Sequence, residues 1–522
     1  MYLVTAQQMQ EIDRTTIETF GLPGRVLMEN AGRSAADILI ETFPDIRRQH
    51  VGIAAGRGNN GGDGFVIARC LSCAGIAVTV FLLAESSQVK GDAAANLNLL
   101  HPLNIQIVEI IDNAAFVREQ PDMRCCDVWV DALLGTGLNA DVTGLYKDVI
   151  DFINAQSRPV LAVDIPSGLN ADTGRPCGVC IRAHTTVTFG CAKIGHMMFP
   201  GAEFSGRLKI VDIGIPPHIV LGTAPSHRLL TLKFIASVLP SRNPDSHKGS
   251  HGHALLLVGS TGKAGAAVLA GLGALRSGAG LVTVGIPGGI NSIIQSRIPE
   301  AMTLPLGDSH ETFLNAMMAQ TVTASLQGKK CLAMGPGIGM FPETRALILR
   351  ILQDITIPVV IDADALNAVC DNLDVLKSLK APAILTPHPG EMSRLTGANV
   401  SDIQADRIGH ARRFARTYRV HIVLKGAHTV IAHPDGTVDI NPTGNPGMAA
   451  GGMGDILTGM IAGLLAQGLS PEAAASAGVY IHGKAADMIS GDRGPFGFLA
   501  SEVADMLPQV FRNILSATIP GE

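Results

Sequence analysis

The sequence is poor in aromatic residues, carries no large excess of either charge, and has no apolar run long enough to cross a bilayer. Aromatics make up 4% of its 522 residues against 47% hydrophobic overall, so its cores must be built mainly from Val, Ile, Leu and Ala. A formal charge of -5 creates no field that would recruit nucleic acid or an anionic membrane. The uncharged stretch between Asp455 and Glu472 is glycine-rich and falls short of the ~18 apolar residues of a span, which predicts a buried helix. From Met1 to Asp13 there is no basic-then-apolar leader, so the protein is expected to stay in the cytoplasm. The 59 glycines and 29 prolines are spread along the chain rather than gathered in one biased tract, which argues against disorder. Nine cysteines in such a chain read as reduced thiols. Two CxxC spacings occur, Cys70/Cys73 and Cys177/Cys180. The first lies in an apolar helical run and the second beside a distant turn, with no histidine spacing in support, so zinc is not expected.

What is present is a double alternation of helical and strand patterns. Helices are predicted near 6–20 and 25–42. Strands follow at 51–55, 77–83, 128–131, 160–164 and 186–189, the first of them running into a glycine loop and a helix. Short β runs separated by helical runs predict parallel βαβ units in a doubly wound sheet, with ligands at the C-terminal strand ends. After a stretch with Pro216, Pro217 and Pro225 and no strong periodicity, a second series begins, with strands at 254–258, 281–286, 331–334, 359–362, 383–386 and 421–424. Helices near 455–467 and 471–490 close it. The chain is therefore expected to be α/β, with two doubly wound domains spanning 1–224 and 225–522.

In the first half, Gly56-Arg57-Gly58-Asn59-Asn60-Gly61-Gly62-Asp63-Gly64 joins a strand to a helix. Its G-x-G-x-x-G spacing is the mark of a dinucleotide fingerprint, and a phosphate-bearing ligand follows from glycines and free amides at a helix N-terminus. Asn59, Asn60 and Asp63 make this loop more polar than a Rossmann turn requires, which implies extra coordination. Two further strand ends carry matching groups: Asp131 leads into Leu133 to Leu138, and Asp164 into Ile165-Pro166-Ser167-Gly168. Together with Leu27-Met28-Glu29-Asn30-Ala31-Gly32, these segments resemble the NAD(P)H-hydrate epimerase family over residues 1 to about 215.

That resemblance implies a Rossmann-like three-layer domain acting on NADHX or NADPHX, the 6-hydroxy adducts of the reduced cofactors, and interconverting their R and S forms. It implies that Asn59, Asn60, Gly61, Gly62 and Asp63, with Gly135, Thr136, Gly137, Leu138, Asn139, Ala140 and Asp141, hold the substrate, with Asp164 at the reacting end. It also implies a potassium ion with Asn60, Asp131 and Ser167 as oxygen ligands. A carboxylate such as Asp164 suits the proton shuttling needed to release and re-add the C6 oxygen. Lys193 reads equally as its complement or as an ordinary surface lysine.

In the second half, Asn445-Pro446-Gly447-Met448-Ala449-Ala450-Gly451-Gly452-Met453-Gly454-Asp455 precedes a helical run. Glycines before a helix expose amides as an anion hole for a transferring phosphoryl group, and Asp455 stands where it can take a proton from an acceptor hydroxyl. A helix cap is the structural alternative for Asp455. Gly259-Ser260-Thr261-Gly262-Lys263-Ala264 superficially suggests a Walker loop but has the wrong spacing and no hydroxyl for magnesium. Lys248 to Gly252, Gly335 to Gly339, Asp362 to Asn367, Thr386 to Glu391 and Lys425 to Thr429 sit beside further strand ends. With the glycine motif they resemble the ribokinase-like family that contains ADP/ATP-dependent NAD(P)H-hydrate dehydratase, from about residue 230 onward.

This second resemblance implies a ribokinase-like fold in which Ala266, Gly337, His388 and Asp455 meet the hydrated cofactor. Lys425, Gly426, Ala427, His428, Thr429 and Gly454 meet Mg2+-bound ADP or ATP. The implied chemistry is phosphorylation of the S-form C6 hydroxyl followed by loss of phosphate, with Asp455 as base and the Gly451 to Gly454 amides stabilising charge. His388, between two prolines, reads equally as a turn histidine. The alternatives are a vitamin or sugar kinase with an accessory nucleotide-binding domain, and a nucleotide sensor that turns nothing over. Asp164 and Asp455 at glycine-rich loops speak against the sensor, which needs no acid/base group there. The expected partners are NADHX, NADPHX and an adenine nucleotide, with no nucleic acid or membrane, and a homo-oligomer is expected.

Overall fold

The computed structural model describes residues 1–516, in two compact units that divide between His227 and Arg228. The N-terminal unit contains β1 (Tyr2–Val4), β2 (His50–Ala55), β3 (Ala77–Leu82), β4 (Gln106–Glu109), β5 (Val128–Ala132), β6 (Val160–Val163), β7 (Thr185–Phe189), β8 (Ala192–Lys193) and β9 (Arg207–Val211). Seven of these form one parallel sheet in the order β4-β3-β2-β5-β6-β7-β9. Alternate residues serve opposite faces. Val51, Ile53 and Ala55 pack with Leu27, Ala31 and Phe65 from helices Gly24–Thr42 and Asn59–Cys73, whereas Ala54 and Trp129 pack with Val149 and Ile153 from helix Gly144–Ala155. Period-two side chains between two helical layers give the expected three-layer arrangement.

Strand order sets the place of the site. From β2 the chain builds outward through β3 and β4, then returns to the other side of β2 at β5. At such a reversal the two outgoing loops part and leave a crevice. The loops concerned are Gly56–Gly58 after β2 and Leu133–Val142 after β5, both of which the sequence singles out. A second device brings in the N-terminus. β1 pairs in parallel with β8, matching Leu3 to Ala192 and Val4 to Lys193. The following helix, Ala6–Thr15, starts at a Thr5/Gln8 capping box.

After a short strand β10 (His227–Leu229) at the division, the C-terminal unit contains β11 (His253–Leu257), β12 (Leu281–Pro287), β13 (Met302–Leu306), β14 (Cys331–Met334), β15 (Val359–Ile361), β16 (Ala383–Leu385), β17 (His421–Leu424), β18 (Val430–Ala432) and β19 (Val438–Ile440). Their order is β13-β12-β11-β14-β15-β16-β17-β18-β19, parallel as far as β17 and antiparallel from β17 through β18 to β19. The reversal here falls between β11 and β14. Glycine-lined helices cross closely on one face: a Cβ on Gly459 would lie 2.0 Å from the Ala270 carbonyl oxygen. No described helix is long and apolar enough to cross a membrane.

Several elements depart from the sequence reading. The short strands β4, β9, β13, β18 and β19 were not expected, because three to five residues, half-exposed in β4, β9 and β13 and buried in β18 and β19, carry little periodic signal. The proline-containing stretch without strong periodicity contains a helix, Pro217–Gly222, with Pro217 at its first position, where a missing N–H costs nothing. The predicted 6–20 helix ends at Thr15 and continues as a π-helical turn, Thr16–Phe20.

Candidate active sites

In the N-terminal unit a cavity of about 720 Å3 opens at the β2/β5 reversal. Asn59, Asn60, Asp63, Gly135, Thr136, Gly137, Leu138 and Asp164 line it, as do Asp13, Met28, Arg57, Phe189 and Lys193. The other expected contacts fall outside the lining. Gly61 and Gly62 lie beneath the loop, where a Cβ would stand 1.9 Å from the Gly56 carbonyl oxygen and 2.7 Å from Met28 Cε respectively, so these glycines permit close packing. Asn139, Ala140 and Asp141 are exposed beyond it.

The ambiguity over Lys193 disappears in the fold. Its side chain is 1% exposed, and Nζ donates to Asp164 Oδ1 and, over 2.8 Å, to the Thr188 hydroxyl. Asp164 Oδ1 also accepts from Thr188 Oγ1 at 3.0 Å and the Phe189 amide at 3.3 Å. Burial disfavours the charged carboxylate, but the Lys193 ammonium and these bonds outweigh it and hold Asp164 below its ordinary pKa. Asp164 adopts φ 64°, a left-handed backbone that a non-glycine residue holds at a cost of about 1–3 kcal/mol. His196 is neutral: burial, with Lys193 beside it, pushes its pKa down to about 3. Its Nδ1 accepts from the Lys193 amide at 3.1 Å.

Asp131, Ser167 and Asn60 meet around the Leu134 peptide. Ser167 donates to Asp131 through its amide (2.7 Å) and its hydroxyl (2.6 Å), and the Leu134 amide donates to Ser167 Oγ at 2.8 Å. Asn60 Nδ2 donates to the Leu134 carbonyl at 3.1 Å. Burial pushes the Asp131 carboxyl up to about 6 even with those bonds, and no Lys or Arg among the described residues forms an ion pair with it. Of the two CxxC spacings, Cys70 and Cys73 lie on helix Asn59–Cys73, whereas Cys177 and Cys180 pack beside the Ser167–Gly168 turn, where the Cys177 amide donates to the Gly168 carbonyl at 2.8 Å; all nine thiols are free.

In the C-terminal unit the loops after β11 and β14 join directly: the Gly259 amide donates to the Pro336 carbonyl at 2.8 Å, and Ser260 Oγ to the Gly337 carbonyl at 2.8 Å. A Cβ on Gly337 would stand 2.8 Å from Ala266 Cβ, so these two expected substrate contacts adjoin. Lys263, in the rejected Walker-like run, pairs with Asp364 at 3.1 Å, and Asp364 also accepts from the Gly339 amide at 2.9 Å.

Asp362 is the hub of this site. Its side chain is 1% exposed and accepts from Thr386 Oγ1 (2.7 Å), Lys425 Nζ (2.9 Å) and Thr458 Oγ1 (2.8 Å). Burial opposes the Lys425 charge, but Asp362 and Glu391 outweigh it and raise its pKa. Helix Met453–Ala466 starts after Gly452, which takes φ 89°, and its first-turn amides have no intrahelical partners. A Cβ on Gly454 would come 3.4 Å from Lys425 Nζ, so ammonium and helix N-terminus converge. Asp455, in the first turn, does not cap the helix. Burial, then Asp362, pushes its carboxyl up to about 6.

His388 does serve its turn: Nδ1 accepts from the Gly390 and Glu391 amides and caps helix Pro389–Thr396, while Nε2 lies 3.5 Å from Glu391 Oε1. The Lys425–Thr429 loop is fastened by Arg407, which donates to the Leu424, Lys425 and Ala427 carbonyls at 2.9, 3.3 and 2.5 Å, and by Thr429 Oγ1, which donates to the Gly426 carbonyl at 2.9 Å. Sequence reasoning missed Arg407, Asp13 and Thr188 entirely. Arg407 sits in an ordinary amphipathic helix and carries no motif, whereas Asp362 and Glu391 fall inside strand-end segments already marked.

The matching family models follow this division. Residues 254–509 match the model described as NAD(P)H-hydrate dehydratase, and residues 24–195 the YjeF-related protein N-terminus. The Moorella thermoacetica protein named bifunctional NAD(P)H-hydrate repair enzyme Nnr is 43% identical over 98% of this chain and 97% of its own length. The Escherichia coli protein of the same name is 36% identical over 97% and 93%. Among solved structures, the ADP/ATP-dependent NAD(P)H-hydrate dehydratase of Bacillus subtilis, co-crystallised with ATP and Mg2+, is 37% identical and covers 55% of this chain and 98% of its own, with a TM-score of 0.49. Matched at this identity along nearly its whole length, the chain belongs to the family of bifunctional NAD(P)H-hydrate repair enzymes.

Proposed function

We propose that the N-terminal unit epimerises R- and S-NAD(P)HX and that the C-terminal unit dehydrates the S form with Mg2+-bound ADP or ATP. The buried Lys193–Asp164 pair at a cavity of about 720 Å3 carries the first assignment. C6 of the substrate bears a hydroxyl beside the ring nitrogen, so the C–O bond breaks with help from the nitrogen lone pair. A carboxylate held ionised then takes the proton of the water that returns. Asn59, Asn60, Asp63 and Gly135 to Leu138 line the space for the rest of the cofactor.

Potassium fits beside Asn60, Asp131 and Ser167. Carboxylate, hydroxyl and carbonyl oxygens converge there, and among the described residues no Lys or Arg pairs with the buried carboxylate. Bound there, the ion would neutralise Asp131 and offer positive charge to a substrate oxygen.

For the second unit, the C6 hydroxyl loses its proton to Asp455 as the terminal phosphoryl group transfers, leaving AMP from ADP or ADP from ATP. Loss of a C5 proton and of phosphate then regenerates the C5=C6 bond. Lys425 and the Gly451 to Gly454 amides stabilise the transferring group. Ala266, Gly337 and His388 contact the hydrated ring side, and Lys425 to Thr429 with Gly454 contact the nucleotide.

Recovery of reduced-nicotinamide absorbance from mixed R/S-NADHX, with ADP, with ATP and with neither, tests both halves. The expected result is full recovery that requires a nucleotide, reduced to the S fraction in Asp164→Asn. Absence of recovery with either nucleotide, potassium and magnesium would overturn the reading in favour of a small-molecule kinase.

A further inference from the structure

Inversion at C6 needs two proton-transfer groups with opposite duties. The oxygen must leave one face as water, which requires a proton donor, and a new water must enter the other face and lose a proton, which requires a base. Asp164 cannot fill the first role while Lys193 holds it ionised. His196 is neutral, and its Nδ1 is occupied by the Lys193 amide. The donor must therefore come from another residue lining the cavity.

We propose that Asp13 is the general acid of the epimerisation, paired in function with Asp164 as the base. This rests on the epimerase reading of the N-terminal unit. Asp13 lies on helix Ala6–Thr15, which β1 brings beside the strand that carries Lys193, and it lines the cavity with Asp63, Asp164 and Lys193. Its carboxyl accepts no hydrogen bond from any described residue, so it is free to serve a ligand. The charged groups around it account for its proton. Burial raises the Asp13 carboxyl to about 6, with Asp164 adding to the rise and Lys193 opposing it. Asp63 is also raised by burial and by both aspartates, and supplies no positive charge. Cys191, the remaining titratable neighbour, is raised as well and so is a neutral thiol.

The step balances. Asp13 gives its proton to the C6 hydroxyl, the C6–O bond breaks, and water leaves as the nitrogen lone pair forms C6=N1+. A second water adds to the opposite face, its proton passes to Asp164, and the lone pair returns to N1. No net water is gained or lost. The proton returns from Asp164 to Asp13 through cavity water. In the reverse direction each step runs backward: the proton first passes through cavity water from Asp13 to Asp164, which carries it only transiently and releases it to the C6 hydroxyl on its own face.

The test uses the full chain and single epimers resolved by chromatography, in H2(18)O. Wild type should incorporate one labelled oxygen for each inversion. Asp13→Asn should lose both inversion and enzyme-catalysed label uptake by about 10²–10⁴-fold, with Asp13→Glu recovering part of each. The fluorescence of Trp129, buried on β5, reports that the N-terminal unit is folded, and nucleotide-dependent conversion of the pure S epimer reports the same for the C-terminal unit. Inversion by Asp13→Asn within about threefold of wild type would overturn the proposal. Should both variants fail to fold, the wild-type rate decides: it should fall as the pH rises beyond about 6, and a flat profile to pH ~9 would count against an acid of this kind. Failure of wild type itself to invert either epimer would instead overturn the epimerase reading.

Discussion

Replacing Lys193 with Met tests the electrostatic core of the N-terminal site. The substitution keeps the length of the buried side chain but leaves Asp164 with only the Thr188 hydroxyl and the Phe189 amide. Removing one partner of a buried pair typically costs about 3–5 kcal/mol, because the remaining charge is uncompensated. A unit of this size shifts its melting temperature by roughly 2–4 °C per kcal/mol, so the expected loss is roughly 6–20 °C. Protonation of Asp164 sets the lower end: with its counter-ion gone, burial raises its pKa and it becomes neutral. The assay is built in. Trp129, the single tryptophan, is fully buried on β5, so its fluorescence reports unfolding of the N-terminal unit alone. Epimerisation should fall about 10²–10⁴-fold with the base neutralised. Adding Asp164→Asn should recover much of the stability and none of the activity. A single variant that melts within about 2 °C of wild type and keeps its epimerase rate would refute the account.

Potassium should stabilise the Trp129 transition at pH 8 and do little at pH 5. The Asp131 carboxyl is raised from 3.8 to about 6 in the fold, so without a cation its contribution is lost as pH rises through that window, and a bound ion restores it. Melting in potassium against tetramethylammonium chloride measures the difference. Dehydration should accelerate as pH rises through about 6, where Asp455 becomes ionised. Asp455→Asn should lose about 10²–10⁴-fold in kcat while the Trp129 melt stays unchanged. Gly61→Ala should cost about 3 kcal/mol or more, since its Cβ would meet the Gly56 oxygen at 1.9 Å, whereas Gly137→Ala, with open space around it, should stay within about 0.5 kcal/mol. Parallel urea titrations of the two variants distinguish them.

The division of labour between sequence and fold can be read from particular residues. Helices such as Gly24–Thr42 and Pro471–Arg493, and strands such as β2, β5 and β14, were legible because their periodicity repeats over several turns or lies in dense apolar runs, whereas helix Ala500–Ser516 was not expected. The glycine loops were legible because a tight strand-to-helix turn with close backbone approach demands residues without side chains at fixed spacing. Asp131, Asp164 and Asp362 were legible as polar residues at the ends of apolar strands, where parallel sheets carry their ligands. Short edge strands such as β4 and β9 were not, because three to five half-exposed residues define no period.

Only tertiary structure decided the charge states. Lys193 and Asp164 are 29 residues apart, and neither sequence context distinguishes a buried ion pair from two solvated groups. Parallel pairing of β1 with β8 carries Asp13 and Lys193 to one cavity from positions 180 residues apart, a proximity that no local pattern encodes. Arg407 likewise became visible only when its guanidinium met three carbonyls of the Leu424–Ala427 segment. Local physics, in which backbone freedom and hydrophobic period act within a few residues, determines where loops and elements lie. Coulomb and desolvation energies depend on distance and burial in space, so which carboxyl holds a proton is settled only once the chain has folded.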